Sequence, residues 1–547
     1  AILGGKHYYF DTACAIIMLV LLGKVLERGA KERTAQSIAL LYRMMPAKAR
    51  LLQDGRERFI SIDALEPGMT FLVKTGERIP ADGVVVSGDS HVDESVLTGE
   101  SALRHKLPGE TVICGSLAAT GVLEIRATRV GAGSTLNQII QSVQAALNSR
   151  SRIERTVDRV SRIFVPAVTA LAALTLIGWL AAGLDIADAL MRAIAVLVIA
   201  CPCALGIATP LAITAAVGAC SRRGILVSDA RVLELAGNIG TVIFDKTGTI
   251  TLGEFSVVAV HPAGVDIAPL AAIEQYSEHP LGRAVVRYAE SLRLATPRAN
   301  DIVVLKGCGI QGRVAGSQVF SGNRRLIADQ GLDLDRELEQ KVQQWEAAGH
   351  TVAYFGADGQ LTGAVALGDR IRPEAAPTIA GLKLRGVRTA IVSGDSARTT
   401  ASVAAQTGVD EFRAEVLPAG KMDVVKQFQA SGAAVAMVGD GVNDAPALAA
   451  ADLGIALGSG AALAMQAAPV VLMSSDLNRV VAVFETARDA MRVVKQNLFW
   501  AFFYNVAGIT LAITGILNPI LAAGAMVLSS LSVIGNSLRL NARVSRR

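Results

Sequence analysis

The chain has 547 residues, of which 51% are hydrophobic and 18% are charged, and its formal net charge is +5. This length exceeds that of one domain, the apolar balance is unusual for a wholly soluble protein, and the small basic excess indicates no nucleic-acid-binding surface. Six cysteines without the spacing of a secreted disulfide framework favour a reducing compartment, in which thiols are available for metals.

Apolar segments punctuate the chain from its start. A membrane-spanning helix needs about 20 apolar residues, and the stretches of suitable length and composition are 8–28, 163–184, 193–221 and 498–538. The last stretch is long enough for two helices, with Asn518-Pro519 as the break. We therefore predict five membrane spans, with two large polar blocks and the arginine-rich tail on the cytosolic side.

The polar blocks differ in pattern. Residues 49–130 are rich in Val, Ile and Thr and are punctuated by Gly and Pro, which predicts a small β domain. In the second block, apolar runs end at Asp245, Asp395 and Asp440, as the strands of a doubly wound parallel sheet do. A further segment at about 255–369 interrupts this pattern and indicates an inserted domain.

Two motifs carry chemistry. Asp245 opens the sequence Asp-Lys-Thr-Gly-Thr directly after an apolar run, and a carboxylate at the end of a buried strand is well placed to attack a phosphoryl group. Ser393-Gly394-Asp395 and the segment 439–444 follow similar runs, which argues against a purely structural Asp245. Cys201-Pro202-Cys203 lies in the middle of an apolar span, where proline opens the helix and thiols can bind soft metal ions.

Together these motifs resemble those of P-type ATPases of the heavy-metal-transporting branch, and the resemblance covers nearly the whole chain. It implies a multi-domain membrane protein with a transmembrane α-helical bundle, a cytosolic β-rich actuator domain, a doubly wound α/β (haloacid-dehalogenase-like) phosphorylation domain and an inserted α+β nucleotide-binding domain. The expected segments are a first retained span at 1–29, the actuator domain with its connecting helices at 30–155, two spans at 156–221, the phosphorylation domain at 222–254 and 370–490, the nucleotide-binding domain at 255–369, and two spans with the basic tail at 491–547. Since the chain opens at Ala1 without a start Met, we expect three further spans and metal-binding modules to precede it.

The expected phosphorylation chemistry follows from the need to neutralise the charge of the γ-phosphate and from the resemblance. Asp245 is the nucleophile, and Mg²⁺ is held by oxygen atoms of Asp245, Asp440 and the Thr247 carbonyl. Lys421 is the expected phosphate-binding cation, and Glu100 positions water for dephosphorylation. The remaining expected members of the catalytic set are Lys246, Ser393, Gly394, Asp395, Asn443, Asp444, Thr98 and Gly99.

The resemblance also implies an ATP pocket in the inserted domain. Ser277-Glu278-His279-Pro280 resembles a signature of heavy-metal ATPases, with Glu274 five residues before His279. Glycine allows a close backbone approach to a flat base. The remaining residues that the resemblance places in the pocket are Gly307, Gly309, Gly322 and Asn323.

The transported ion is inferred from its donors. Soft thiolates of Cys201 and Cys203 suit Cu(I), Zn²⁺ or related ions. A divalent ion would be expected to recruit a carboxylate, yet no Asp or Glu occurs from 498 to 538. The pattern there resembles the copper(I)-exporting subgroup, and the further residues implied for the Cu(I) site are Tyr504, Asn505, Met526 and Ser530. By resemblance, the carboxylates of the ion path are Glu27 and Asp158 at the entry and Asp11 at the exit.

The sequence therefore predicts ATP-driven export of Cu(I), with Ag(I) as a related cargo, through an aspartyl phosphate. We expect a bacterial inner membrane with the catalytic domains in the cytosol, ATP and Mg²⁺ as cofactors, and membrane lipid and a soluble copper chaperone or reduced-thiol carrier as partners. The alternatives are a Zn²⁺/Cd²⁺ exporter, a membrane-anchored phosphatase, and a non-transporting copper-binding or sensing protein.

Overall fold

The computed structural model describes residues 10–53, 56–95, 102–277, 279–305, 307–441, 444–458 and 467–544. The chain divides into two compact units. The first contains residues 1–238, 469–474 and 482–547, and the second contains residues 239–468 and 475–481.

Helices dominate the first unit. Numbered along the whole chain, they are α1 Phe10–Arg43, α2 Thr135–Asn148, α3 Arg152–Ala181, α4 Ile186–Ile199, α5 Cys203–Arg222, α6 Arg231–Ala236, α15 Asn478–Ile513 and α16 Pro519–Val544. Among the described residues, three helical stretches are long and apolar enough to cross a membrane: Thr135–Ala181, Ile186–Arg222 and Pro519–Leu540. Helices α1 and α15 are also long, and the five-span topology stays a prediction.

Small side chains let these helices pack closely. One cluster joins α1, α5, α15 and α16 and consists of Ala30, Ala204, Leu205, Ile207, Ala208, Leu211, Ala501, Val533 and Ile534. A second joins α3, α4, α15 and α16 and consists of Val168, Ala172, Ala195, Val196, Ile199, Ala200, Ile509, Ala512 and Ala522. Helices in a bilayer associate through such close van der Waals packing. Lipid tails are as apolar as the side chains, so the hydrophobic effect does not drive the helices together.

The first unit also contains an antiparallel β domain. Its strands are β1 Lys48–Gln53, β2 Arg56–Ser61, β3 Thr70–Lys74, β4 Asp82–Asp93, β5 Arg104–Lys106, β6 Thr111–Val112, β7 Leu117–Ala118 and β8 Val122–Arg129. They are ordered β2-β1-β3-β8-β4-β5, with β6 and β7 paired to β4. Asp82 is buried and accepts hydrogen bonds from the backbone N and the hydroxyl of Thr135, at 2.8 and 2.7 Å. This contact fixes the start of α2 to the sheet.

Two short strands of the first unit, β9 Ile225–Val227 and β21 Val470–Leu472, form an antiparallel pair. The second unit is built around a parallel sheet of order β18-β17-β10-β19-β20. Its strands are β10 Ile239–Asp245, β17 Arg388–Val392, β18 Glu411–Arg413, β19 Ala434–Gly439 and β20 Leu453–Leu457. The accompanying helices are α11 Ala375–Lys383, α12 Ala397–Thr407, α13 Lys421–Ala430 and α14 Ala445–Ala450. The buried strands are nearly continuous runs of Val, Ile and Ala, as expected of a sheet covered on both faces.

A second, antiparallel sheet follows β10 in the chain and returns before α11. Its order is β11-β16-β15-β14-β13-β12. The strands are β11 Thr251–His261, β12 Ala299–Leu305, β13 Gly309–Val314, β14 Ser317–Gly322, β15 Thr351–Ala357 and β16 Gln360–Ile371. The helices are α7 Ala268–Glu274, α8 Pro280–Ser291, α9 Arg324–Asp329 and α10 Arg336–Ala347. The second unit is thus a parallel α/β core that carries an inserted α+β layer, which is the architecture that the sequence predicts.

Candidate active site and ion-binding region

The predicted nucleophile lies at the carboxyl edge of the parallel sheet. Strand β10 runs between β17 and β19, with Asp245 opposite Val392 and Phe244 opposite Val438. The carboxyl ends of neighbouring parallel strands meet at one edge. The structure therefore brings Asp245 together with the segments that follow the other two strands, Ser393–Asp395 and Asp440.

Lys421 joins two carboxylates at this edge. Its Nζ donates to Oδ1 of Asp245 and to Oδ1 of Asp444, at 2.6 Å each, and all three side chains are buried. Lys421 is the first residue of α13, and Asp444 directly precedes α14. Asp444 comes this close to β19 because Gly439 has no side chain: a Cβ there would lie 2.5 Å from Oδ2 of Asp444.

The charges of this cluster do not balance. Burial raises the pKa of Asp245 to about 7, and the Asp444 and Asp440 carboxylates add to this rise, whereas Lys421 opposes it. The pKa of Asp444 is likewise raised by burial, again against the effect of Lys421. One ammonium faces several carboxylates, so the site has room for more positive charge.

A magnesium ion suits this need. Oδ2 of Asp444 is buried and finds no hydrogen-bond partner among the described groups, and carboxylate oxygens are the ligands that Mg²⁺ prefers. Among the described residues, no group of three or more His, Cys, Asp or Glu side chains could by itself hold a metal ion. Mg²⁺ commonly uses one or two carboxylates together with substrate phosphates and water, so the few protein ligands fit it.

Lys246 follows the nucleophile but takes part in a second ion pair. Its ammonium is buried and binds the Asp395 carboxylate. Asp395 also accepts from the hydroxyls of Ser393, at 2.8 Å, and Thr351, at 3.0 Å. Burial opposes the charge of Asp395, but Lys246 and these hydrogen bonds lower its pKa overall. Asp395 and Ser393 thus hold the turn that follows β10.

The turn itself is irregular. Gly248 has a φ of +73°, and Thr247 has extended backbone angles. Arg372 donates to the carbonyl oxygens of Thr249 and Gly248, at 2.9 and 3.1 Å. Asp369 accepts from the Thr251 hydroxyl at 2.5 Å and from the Gly253 backbone at 3.0 Å. Asp369 and Arg372, at the end of the last strand of the inserted layer, brace the turn. The sequence analysis did not predict either residue. Their only signal was a group of charged residues at the end of an apolar run, Gly-Asp-Arg-Ile-Arg.

The predicted nucleotide residues assemble in the inserted layer. Glu274 ends α7, is buried, and accepts from the hydroxyl of Ser321 at 2.7 Å; burial raises its pKa. Gly309 and Gly322 are directly paired on β13 and β14. A Cβ on Gly309 would lie 2.0 Å from the carbonyl oxygen of Ser321, so only glycine fits there. Ser321 is a contact that sequence reasoning missed.

The other predicted pocket residues cap helices. His279 precedes α8, whose first residue is Pro280, and its Nδ1 accepts from the backbone of Leu281 at 3.3 Å. The accepting Nδ1 leaves the proton on Nε2 in the neutral ring, and burial lowers the pKa of His279 against the effect of Asp395. Asn323 caps α9 and donates to the carbonyl of Gly307 at 2.9 Å.

The helix of the Cys-Pro-Cys motif is broken. Helix α4 ends at Ile199 and α5 begins at Cys203, with Cys201 and Pro202 between them. On one side of the break Ile199 and Ala200 pack with α15 and α16. On the other side Ala204 and Leu205 pack with the same two helices.

These contacts give the level of the break. The residues on its two sides belong to clusters that include residues 501 and 509 of α15 and residues 533 and 522 of α16. Asn505 lies between residues 501 and 509 of α15, and Met526 and Ser530 lie between residues 522 and 533 of α16. All three are therefore at the level of the motif. Met526 and Ser530 are buried. Tyr504 is 38% exposed and lines a groove between α15 and α16.

Some predicted residues cannot be placed. Thr98, Gly99, Glu100 and Asn443 lie outside the described residues, as do the side chains of Asp11 and Cys203. The strands that flank the Glu100 loop are held together by Lys106, whose Nζ lies 3.0 Å from Glu94. The two predicted entry carboxylates, Glu27 and Asp158, form ion pairs with Lys24 at 3.9 Å and Arg150 at 3.5 Å.

Comparison with known proteins matches both cytosolic parts to family models. Residues 43–144 match the P-type ATPase actuator domain, and residues 239–452 match the haloacid dehalogenase-like hydrolases.

Whole relatives are similar along nearly the full chain. A protein of Mycobacterium tuberculosis named probable copper-exporting P-type ATPase V is 43% identical over 98% of this chain and 70% of the relative. One of Enterococcus hirae named probable copper-importing P-type ATPase A is 41% identical over 97% of this chain and 74% of the relative. A crystal structure of a zinc-transporting PIB-type ATPase in its E2.Pi state is 35% identical, with a TM-score of 0.59, over 96% of this chain and 87% of that one.

Proposed function

The chain belongs to the P-type ATPases, in the metal-transporting branch, and from this premise we propose that it exports Cu(I) across a membrane at the expense of ATP. The predicted family, fold class and enzyme class are confirmed by the relatives and family models. The relatives carry different names, exporter and importer, and the similar crystal structure is of a zinc transporter. The nature of the ion and its direction are therefore argued from this chain's own residues.

The geometry at Asp245 supports phosphoryl transfer to that residue. One carboxylate oxygen would form the new bond to the γ-phosphorus while the bond to the bridging oxygen of ADP breaks, and ADP leaves with that electron pair. Lys421 is placed to neutralise the incoming phosphate, because its Nζ already contacts Asp245 and Asp444. A bound Mg²⁺, held by Asp444, Asp440 and the turn at Thr247, would supply the remaining positive charge.

The inserted layer supports ATP placement. Glu274 and Ser321 form a buried polar contact beside the paired glycines Gly309 and Gly322, and a neutral His279 stands at the start of α8. These groups offer hydrogen bonds and a close backbone approach to an adenine ring. We assign the second catalytic half-reaction, hydrolysis of the aspartyl phosphate, to the loop that contains Glu100.

One observation carries the assignment of the cargo. The helix break at Cys201-Pro202 lies at the level of Met526, and the helices facing it carry no acidic residue from 498 to 538. Thiolates and a thioether select soft ions, and Zn²⁺, which usually takes four ligands, would find no carboxylate there to complete its set. A monovalent soft ion, Cu(I) with Ag(I) as its analogue, fits this set of donors.

The wider setting follows from the same proposal. The basic tail favours a cytosolic C-terminus, so the two catalytic parts also lie in the cytosol, and a bacterial inner membrane is the expected location. Free Cu(I) is scarce in a reducing cytosol, so a thiol carrier or a copper chaperone would deliver the ion. Such a carrier would load the ion into the protein from the cytosolic side, which is the direction of export and not of import.

The experiment is phosphorylation of the purified chain with labelled ATP. We expect an acid-stable phosphoenzyme that forms with Cu(I) under reductant and not with Zn²⁺, and that is absent in Asp245→Asn, where the amide keeps the shape but cannot act as nucleophile. Inside-out vesicles should accumulate copper. Labelling that depends on Zn²⁺ would support the zinc alternative, and the absence of any metal-dependent label would support a phosphatase or a sensor.

A further inference from the structure

A half-open groove of about 400 Å³ lies between α15 and α16. Gln496, Trp500 and Tyr504 line it from α15, and Gly535, Asn536 and Arg539 line it from α16. None of the roles assigned above uses Gln496, Trp500, Asn536 or Arg539. The groove therefore needs its own explanation.

Hydrogen bonds organise the polar end of the groove in advance. The amide nitrogen of Asn536 donates to Oε1 of Gln496 at 3.2 Å and to Oδ1 of Asn497 at 2.9 Å. Because Gln496 uses its carbonyl oxygen in this contact, its NH₂ group is left to donate to a ligand. Arg539, an exposed cation, closes the same end, and no acidic residue is among the described residues that line the groove. This end is suited to an anion with several acceptor oxygens.

The rest of the groove is apolar and faces outward. Trp500 is 46% exposed and Tyr504 38%, and their rings lie 5.8 Å apart. Leu531, also exposed, lines the opposite wall. Trp and Tyr are enriched where a membrane meets water, and exposed apolar surface on a spanning helix is covered by acyl chains. A ligand with a charged head and a long apolar tail matches both ends.

The position of the groove along the helices agrees with this. Arg539 is near the end of the apolar stretch Pro519–Leu540, and Gln496 lies at the start of the apolar part of α15. Both belong to the cytosolic boundary in the topology of the proposed function. The polar end is therefore at headgroup level, and Tyr504 lies one to two turns deeper, at the level of the acyl chains.

We propose that the groove between α15 and α16 is a binding site for one anionic phospholipid of the cytosolic leaflet, whose phosphate is held by Arg539, Gln496 and the indole N–H of Trp500. This lipid would brace α15 against α16, the two helices that face the Cys-Pro-Cys break. The site rests on the membrane placement in the proposed function but not on the identity of the transported ion.

Two glycines of α16 provide a matched test. A Cβ on Gly535, in the groove, or on Gly524, outside it, would meet no atom within 4 Å. Gly535→Leu fills the groove without removing a charge, and Gly524→Leu is the control. Native mass spectrometry of the full chain, from nanodiscs with equal phosphatidylglycerol and phosphatidylcholine, should show one retained phosphatidylglycerol in the wild type and in Gly524→Leu but not in Gly535→Leu.

A charge variant provides a second test. Arg539→Gln should lower the retention of phosphatidylglycerol about fivefold, the effect of one basic side chain near an anionic surface, whereas Arg488→Gln, a cation of α15 outside the groove, should not. Excess glycerol 3-phosphate should fail to displace the lipid. The proposal is overturned if both lipids are retained equally, if the two glycine variants behave alike, if glycerol phosphate competes, or if the groove variant abolishes a dimer instead of a lipid.

Discussion

At the scale of residues, the chemistry depends on an imbalance of charge around Asp245. One ammonium, that of Lys421, contacts two buried carboxylates, and the site therefore favours the arrival of a cation with the nucleotide. Burial and the Asp444 and Asp440 carboxylates raise the pKa of Asp245, and a bound cation would lower it again. We therefore expect the Mg²⁺ that arrives with ATP to activate the nucleophile by supplying the missing positive charge.

Replacing Lys421 by Met should nearly abolish the phosphoenzyme. The side chain keeps its length but leaves Asp245, Asp444 and the γ-phosphate without their shared cation, and loss of one such group lowers rates by about 100-fold or more. Quench-flow labelling with ATP measures this. Lys426→Met is the control, because Lys426 is an exposed lysine on the same helix. Equal labelling of the two variants would contradict the role of Lys421.

The charge of Asp245 should also appear in the stability of the Mg²⁺-free protein. Its folded-state pKa is raised from 3.8 to about 7, so the folded state binds more protons in this window, and stability falls as pH rises through it. Asp245→Asn removes that loss. The Tm of the variant should therefore exceed that of the wild type by more at about pH 8 than at about pH 5, by scanning calorimetry. A constant difference at both pH values would mean that Asp245 does not titrate in this range.

His279 should act as a neutral group in placing the nucleotide. His279→Ala should raise the ATP concentration needed for labelling without removing the reactivity of Asp245, because misplacement reduces rate but leaves the nucleophile. Because burial lowers the pKa of His279, wild-type ATP dependence should not change as pH falls from about 8 to about 7. His350→Ala is the control, since the hydrogen bonds of His350 among the described residues use its backbone, whose N donates to Trp345 and whose carbonyl oxygen accepts from Thr399. Identical ATP dependence in both variants would make His279 structural.

At the scale of elements, the sequence predicts the types and the order of the helices and strands better than it predicts their ends. Strand β10, which ends in Asp245, and strands β17 and β19, which are followed by Asp395 and Asp440, could be predicted because apolar runs and carboxyl-edge acids follow one physical rule. Helix ends could not be predicted from hydropathy. Helix α3 begins at Arg152, eleven residues before the apolar stretch, because Ser151 and Glu154 form a capping box.

The sequence predicts a loosened helix at the Cys-Pro-Cys motif, and the structure has an interruption there between α4 and α5.

The bracing contacts of the active site could not be predicted, for a different reason. Asp369 and Arg372 lie more than 110 residues beyond the turn that they hold, and only folding brings β16 against β11. The same is true of Ser321 beside Glu274. Contacts across an inserted layer leave no local pattern in the sequence.

At the scale of the whole molecule, we infer the cargo from the kinds of donor atom that the membrane helices carry. The helices opposite the Cys-Pro-Cys break carry amides, hydroxyls and a thioether but no carboxylate between 498 and 538. Two thiolates and one thioether form a soft set of donors that suits Cu(I), whereas Zn²⁺ usually takes four ligands and would find no carboxylate among these helices to complete its set.

We therefore expect Cu(I) or Ag(I), and not Zn²⁺, to bind the membrane part of the purified chain. Binding should be lost in Cys201→Ser with Cys203→Ser and kept in Cys220→Ser, a buried cysteine on the same helix as Cys203. Met526→Leu keeps the volume of a buried side chain but removes the sulfur, so it should weaken binding, while Met491→Leu should not. Metal titration with X-ray absorption of the bound ion measures each case. Zinc bound among oxygen and nitrogen neighbours, or unaltered Cu(I) affinity in Met526→Leu, would show that the site is not the soft, low-charge set of donors argued here.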